Sequence, residues 1–282
     1  MGSKKAANNR PSHSCKGNDA TKNGKYETGC LNGILQSCSM VYLGIRKLKN
    51  SAKYRYQART PPTATGIATM VSSLSKTPVH LSAIFGAGAS TNEADANKLI
   101  QNAAELAAWS VAGNIPILSI YDKQGILKKN ALSLQVFASL RIKQFIPSQK
   151  HRVCIHVDGR QSSVRESPDG EPPGLTIYLI SEEDGRCAIG SITDALAEKV
   201  RDGDVTIDEV STDLLAEQLY SSVMPAPDLV VVFGTAMKLC GYPPWHLQQA
   251  EIETLRDSDE FTYVAFAHAL RGYAGAEMRH GK

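Results

Sequence analysis

The sequence predicts an α/β fold, with a central, mostly parallel sheet and helices on both of its faces. Two observations carry this. Short, nearly continuous apolar runs recur at 80–85, 115–121, 175–181 and 228–233, and each runs into a Gly or an acidic turn. Between them lie stretches whose apolar residues recur at helical spacing. Continuous rather than alternating apolar strands belong to sheets buried on both faces.

Taken in order, residues 1–30 are rich in Asn, Lys, Ser and Gly, and predict disorder. Leu31 to Ile45 is apolar but interrupted by Asn32, Gln36, Ser37 and Ser39. It is shorter than the roughly 20 residues of a spanning helix. Followed by Arg46-Lys47-Leu48-Lys49, it reads either as an interfacial helix or as a loosely packed N-terminal helix. Pro61-Pro62-Thr63 marks an irregular link. Residues 31–76 are thus an N-terminal helix and linker, and the folded domain is expected over 77–282, starting near Thr77-Pro78.

His80 to Phe85 is the first strand, turning at Gly86-Ala87-Gly88. Asn92 to Ala112 is helical, with Leu99, Ala103, Leu106 and Trp109 on one face and Gly113-Asn114 as its stop. Ile115 to Tyr121 is the second strand, closed by Asp122-Lys123-Gln124-Gly125, and 126–145 is expected to be helical. Residues 146–173 are polar and rich in Pro, Gly and Ser, and read as a loop or insertion containing a candidate strand at Val153 to Val157. Leu175 to Ser181 is a strand, with its turn at Glu182-Glu183-Asp184-Gly185. Ile192, Leu196 and Val200 mark one helix; Val210, Leu214 and Leu215 mark another. Asp228 to Phe233 is a strand. Asp257 to Met278 is the closing helix, with Asp257 and Glu260 at capping-box spacing.

Composition bounds the function. The 282 residues are 42% hydrophobic and 21% charged, enough apolar material for a sizeable core. A net charge of +3 gives no argument for nucleic-acid binding, and none is expected. The six cysteines form no CxxC pair and have no metal-ligand spacing with histidine, so they read as reduced thiols facing the cytosol. Gly86 and Gly88 make only a partial dinucleotide fingerprint, because its third Gly would fall on Thr91. Asp122 reads as a turn former or cap, and Trp109 and Trp245 as core or interface anchors.

Three segments in order carry a resemblance: Ala108 to Gly125, Pro227 to Gly234 continuing through Gly241 to Ile252, and Tyr273 to Lys282. Over about residue 78 to the end, the chain resembles the cis-prenyltransferase superfamily, closest to its Nogo-B receptor branch. That branch supplies the accessory subunit of dehydrodolichyl diphosphate synthase. The resemblance implies a cis-prenyltransferase-like domain and a heterodimer with a catalytic subunit. The pair would condense isopentenyl diphosphate onto farnesyl diphosphate, giving long-chain polyprenyl diphosphate for dolichol and protein glycosylation. It also implies work at the cytosolic face of the endoplasmic reticulum membrane, peripherally or through the complex.

The departures narrow that role. Catalytic members follow their first strand with Asp-Gly-Asn, whose Asp helps hold Mg²⁺ and the allylic diphosphate. Gly86 stands at that Asp here. They follow Pro-Asp-Leu with Arg-Thr-Ser-Gly-Glu-x-Arg. Laid beside it, this chain offers Val232, Phe233, Gly234, Thr235, Ala236, Met237 and Lys238, so only Lys238 keeps a positive charge. The leaving diphosphate needs Mg²⁺ and fixed cations, and Mg²⁺ needs oxygen ligands that Gly and Ala side chains lack. Mg²⁺ is therefore expected mainly on the partner, with no metal site here and no prenyl transfer by this chain alone.

What survives is similar to the family's C-terminal Arg-x-Gly motif: Arg279-His280-Gly281. The resemblance implies that Arg279 and Gly281 reach into the partner's site and bind isopentenyl diphosphate, with His280 in the variable position. Arg offers a planar fork of donors to phosphate, and Gly lets backbone N–H groups approach the anion. The segment from Tyr242 to Glu251, with Pro243, Pro244, Trp245 and His246, lies where relatives dimerise, and is expected to contact the partner. From the residues alone it reads only as a turn entering a helix, with His246 a satisfied structural histidine. Two other classes compete. One is a receptor or scaffold that keeps the fold without catalysis, opposed by the intact Arg279 and Gly281. The other is an autonomous small-molecule enzyme at the Gly86-Ala87-Gly88 loop, opposed by the lack of a nearby acid, base or nucleophile cluster.

Overall fold

The computed structural model describes residues 62–85, 93–147, 152–161, 173–233, 238–254 and 261–276, all in one unit spanning 51–282. The chain start, Leu31 to Lys49, Gly86-Ala87-Gly88, Asp257, Glu260 and Arg279 to Lys282 lie outside the described residues.

The elements run α1 (Ala64–Ser72), β1 (His80–Phe85), α2 (Glu93–Ala112), β2 (Ile117–Asp122), α3 (Ile126–Lys129), α4 (Ala131–Phe145), β3 (Val153–Val157), β4 (Arg160–Gln161), β5 (Leu175–Ile180), α5 (Arg186–Asp202), α6 (Thr212–Ser222), β6 (Leu229–Phe233), β7 (Glu251–Thr254) and α7 (Tyr263–Gly275). The strands form one seven-stranded sheet in the order β4-β3-β5-β2-β1-β6-β7. Every pairing is parallel except β3 with β4.

The pleat sends alternate side chains to opposite faces. Leu81, Ala83, Leu118, Ile120, Ile177 and Val231 face a core roofed by α1, α2, α4 and α7. Ile84, Tyr121, Ile180, Val230 and Val232 face a smaller core with Leu219, Val223 and Met224 under α5 and α6. Both faces are covered, as the continuous apolar strands require.

Several elements differ from the sequence expectation. α1 lies ahead of Thr77, and its Ile67 and Val71 enter the main core. Thr63 is its N-cap, accepting a hydrogen bond from the Gly66 N–H at 3.1 Å, so Thr63 starts a core helix. The 126–145 stretch is two helices, parted at Asn130, whose side-chain amide donates to the Ile126 carbonyl. Within 146–173 the candidate strand at Val153 to Val157 is present as β3, and the short β4 is what the sequence did not indicate. Val153, Cys154 and Ile155 are buried in β3, parallel to β5, and β4 turns back on β3. Val210 stands outside α6, whose N-cap is Ser211.

The closing helix begins at Tyr263, not Asp257. Its cap is the extended Thr262, which accepts from the Ala265 N–H. Docking of Phe261 and Tyr263 on Trp109 accounts for that start. Downstream of Tyr242 the chain makes a 3₁₀ turn (Pro244–Leu247) and then edge strand β7, not a helix.

Candidate functional site

In open α/β sheets, ligands bind beyond the carboxyl ends of the strands. β1 and β6 are neighbours, in register from Leu81 with Leu229 to Phe85 with Phe233. Their last residues are therefore side by side, and both are Phe. The rings of Phe85 and Phe233 stack with centroids 5.5 Å apart. Phe261 closes over both, at 5.5 and 5.1 Å. Trp109 lies flat on Phe261 at 4.9 Å and meets Tyr263 edge-on at 5.7 Å. At the described ends of β1 and β6 the main core is thus closed by aromatic rings. Such pairs contribute about 0.5–1.5 kcal/mol each beyond area burial. The Trp109 indole N–H donates to Glu105, which also holds the Arg141 guanidinium of α4.

The described first turn of the helix that follows β1 is acidic. α2 has Glu93 and Asp95 in its first turn, where they satisfy the positive helix end and repel a diphosphate.

The carboxylates of the remaining strand ends are engaged in structure. Asp122, ending β2, accepts from the Ile126 and Leu127 N–H groups at 2.7 and 3.0 Å. Burial pushes its carboxyl above the ordinary range despite those bonds. It is the cap the sequence indicated. Asp184 accepts from the Ser181 N–H at 2.7 Å and pairs with Lys128 at 2.6 Å. Asp228, at the opposite end of the sheet, accepts from the Val79 and His80 N–H groups and ties β6 to β1. Among the described residues no group of three His, Cys, Asp or Glu side chains is placed to hold a metal ion. An aromatic mouth offers no oxygen set to a hard cation, so the described residues do not fit Mg²⁺.

The 242–251 segment is turned partly inward. Tyr242, Pro243 and His246 are buried in this chain's own core. Pro244 is exposed, and Trp245 and Glu251 are half-buried. The Tyr242 hydroxyl bonds Ser82 at 2.8 Å, and burial raises its pKa. Tyr121 donates to the Cys240 carbonyl at 2.5 Å. Gly241, at φ +90, lies where a Cβ would sit 3.2 Å from the Tyr121 hydroxyl, so Gly is required in this turn.

His246 is only half satisfied. Nε2 bonds the Met224 carbonyl at 2.9 Å, while Nδ1 is buried without a partner. Burial lowers its pKa to about 4. His80 is as deeply buried but bonded at both nitrogens: Nδ1 meets the Ala226 carbonyl, Nε2 meets Ser119, and burial lowers its pKa to about 4.

The structure brings one further feature to the approach to Arg279-His280-Gly281. Ser75 donates to the Ala274 carbonyl at 2.7 Å, and Lys76 donates to the Ala276 carbonyl at 2.6 Å. The Lys76 ammonium also lies 4.5 Å above the Tyr273 ring. These two residues pin the end of α7 just before the tail. No motif marks them, since the contacts join chain segments about 200 residues apart. Phe85 and Phe233 were visible as apolar strand ends, but Phe261 carried no signal.

No protein-family model matches the chain. It is 33% identical over 210 residues to a dehydrodolichyl diphosphate synthase complex subunit of Schizosaccharomyces pombe, covering 74% of this chain and 78% of that one. It is 29% identical over 202 residues to the subunit of the same name in Saccharomyces cerevisiae, where the match covers 65% of this chain and 54% of the relative. Its fold is similar to the crystal structure of lavandulyl diphosphate synthase from Lavandula x intermedia in complex with dimethylallyl diphosphate. That likeness has a TM-score of 0.51 and 16% identity, over 73% of this chain and 99% of the other. With a relative of this identity and coverage, the chain belongs to the family of dehydrodolichyl diphosphate synthase complex subunits, within the cis-prenyltransferase superfamily.

Proposed function

We propose that this chain is the non-catalytic, activity-essential subunit of a heteromeric cis-prenyltransferase. Its catalytic partner condenses isopentenyl diphosphate onto farnesyl diphosphate, and the long-chain product feeds dolichol synthesis and protein glycosylation. The observation that carries this reading is the similarity to dehydrodolichyl diphosphate synthase complex subunits, in a chain with Gly86 and Val232 where catalytic relatives carry Asp and Arg. Ionisation of an allylic diphosphate needs Mg²⁺ and fixed cations, and the described ends of β1 and β6, Phe85 and Phe233, supply neither an oxygen ligand nor a charge. Mg²⁺ belongs with the partner's oxygen ligands.

This chain's share of the chemistry is Arg279 and Gly281, with His280 between them, binding isopentenyl diphosphate across the interface. Arg279 would grip phosphate oxygens as a bidentate fork, and Gly281 would bring backbone N–H groups close. Pro244, Trp245 and Glu251 are the members of the 242–251 segment with enough exposure to touch the partner. Tyr242, Pro243 and His246 would support that surface from within. The complex works at the cytosolic face of the endoplasmic reticulum membrane.

The test is prenyl transfer from radiolabelled isopentenyl diphosphate. The purified chain should be inactive, and co-expression with the catalytic subunit should yield a co-purifying, active complex. Equal turnover with and without this chain would instead support a receptor or scaffold.

A further inference from the structure

We infer that the outer face of α4 is a docking surface for a bilayer carrying anionic lipid. α4 buries Ala131, Leu134, Ala138 and Ile142. The opposite side of such an amphipathic helix is ordinarily polar. Here Leu132 is 57% exposed, Val136 58%, Phe137 49% and Leu140 53%. Leu132, Val136 and Leu140 follow one another at four-residue spacing, so they form one stripe along the solvent side with Phe137 beside it. These four are the only large exposed apolar side chains in a group among the described residues; Val79, Ile207 and Val210 lie elsewhere. A contiguous apolar patch calls for an occupant, where scattered residues do not.

Charge identifies the occupant. Residues 123–157 contain seven Lys and Arg and no Asp or Glu. Lys128 and Arg141 are committed to Asp184 and Glu105. Lys129 and Lys143 are exposed at the two ends of the stripe and enter none of the ion pairs among the described residues. Apolar side chains bounded by lysines suit an anionic bilayer. The side chains enter the headgroup boundary, and the ammonium groups meet lipid phosphates. A protein partner fits less well, because a stable interface takes about 20–30 residues a side. A second copy would also bring like charges together.

This extends the proposed work at a membrane, but its test reads lipid binding by the chain alone, so it stands or falls separately from turnover. The full chain is sedimented with vesicles of mixed phosphatidylserine and phosphatidylcholine, and with phosphatidylcholine alone. Binding to the mixed vesicles is expected. It should fall at least about tenfold in Val136→Ser/Leu140→Ser and about fivefold in Lys143→Gln. All three positions are exposed, so circular dichroism and thermal unfolding should match the parent. Residues 31–49, with their own apolar and basic character, are present in every protein compared, so a loss reports on α4. Parent-like binding by Val136→Ser/Leu140→Ser would overturn the inference. So would a variant that bound vesicles normally but lost self-association or capture of the catalytic subunit, which would give the face to a protein.

Discussion

Replacing His80 with Gln should flatten the acid side of the stability profile. His80 and His246 are almost fully buried, and burial lowers both pKa values from 6.5 to about 4. A chain that unfolds exposes them and restores the ordinary value. Between the two values the unfolded state binds a proton that the folded state refuses, so stability falls as pH drops through that window. For a pKa lowered from 6.5 to about 4, acidification from about pH 7 to about pH 5 removes roughly 2 kcal/mol per imidazole. The two together give about 4 kcal/mol, a large share of the roughly 5–15 kcal/mol that holds a domain. Asp122 and Glu253 act in the opposite sense, since burial raises their pKa values and folding favours their protonated forms. Comparing parent and variant at each pH cancels that contribution. Gln can keep a bond to Ser119 or the Ala226 carbonyl without a titrating ring. The assay is urea unfolding followed by tryptophan fluorescence across this pH range. His80→Gln should start less stable near neutrality but lose about 2 kcal/mol less on acidification. A pH slope equal to the parent's would refute the argument, because His80 would then not be held neutral by burial.

Other expectations follow from single contacts. Asp122→Ala removes acceptors for two backbone N–H groups and should cost about 1–2 kcal/mol in urea unfolding. Trp109→Ala takes out the centre of the aromatic cluster and should cost roughly 3–5 kcal/mol by thermal or urea denaturation. Lys76→Met removes both the bond to the Ala276 carbonyl and the charge above Tyr273. If those contacts set the exit of the tail, the assembled complex should form normally yet bind isopentenyl diphosphate more weakly, with KM raised severalfold, about fivefold for each kcal/mol lost. A parent-like KM would show that the tail orients itself.

The parallel strands were legible because burial on both faces leaves long apolar runs, as in Leu229-Val230-Val231-Val232-Phe233. β7 was not, because Glu251-Ile252-Glu253-Thr254 has one apolar side chain and takes its identity from pairing with β6. The sequence pointed to Asp257 as the cap of the closing helix, and the structure uses Thr262. The choice rests on where Phe261 and Tyr263 meet Trp109, a contact between residues far apart in the chain. The same limit applies to the site. The loss of charge at Gly86 and Val232 was legible only through the resemblance to catalytic family members, and the aromatic cluster was not legible at all, since Phe261 meets Phe85 and Phe233 only through the fold. The inward turn of Tyr242 and His246 was hidden for a similar reason. Their partners, Ser82 and the Met224 carbonyl, are set by tertiary packing.

The central claim is that this chain's chemistry is exerted inside another subunit's site. It is tested most directly by steady-state prenyl transfer in the purified heteromer, with parent chain, Arg279→Ala or a chain lacking residues 279–282. The account predicts that each variant co-purifies with the catalytic subunit in parent amounts while turnover of isopentenyl diphosphate drops at least about tenfold, as loss of a charge-assisted phosphate contact implies. Full turnover by a complex without Arg279-His280-Gly281 would contradict it.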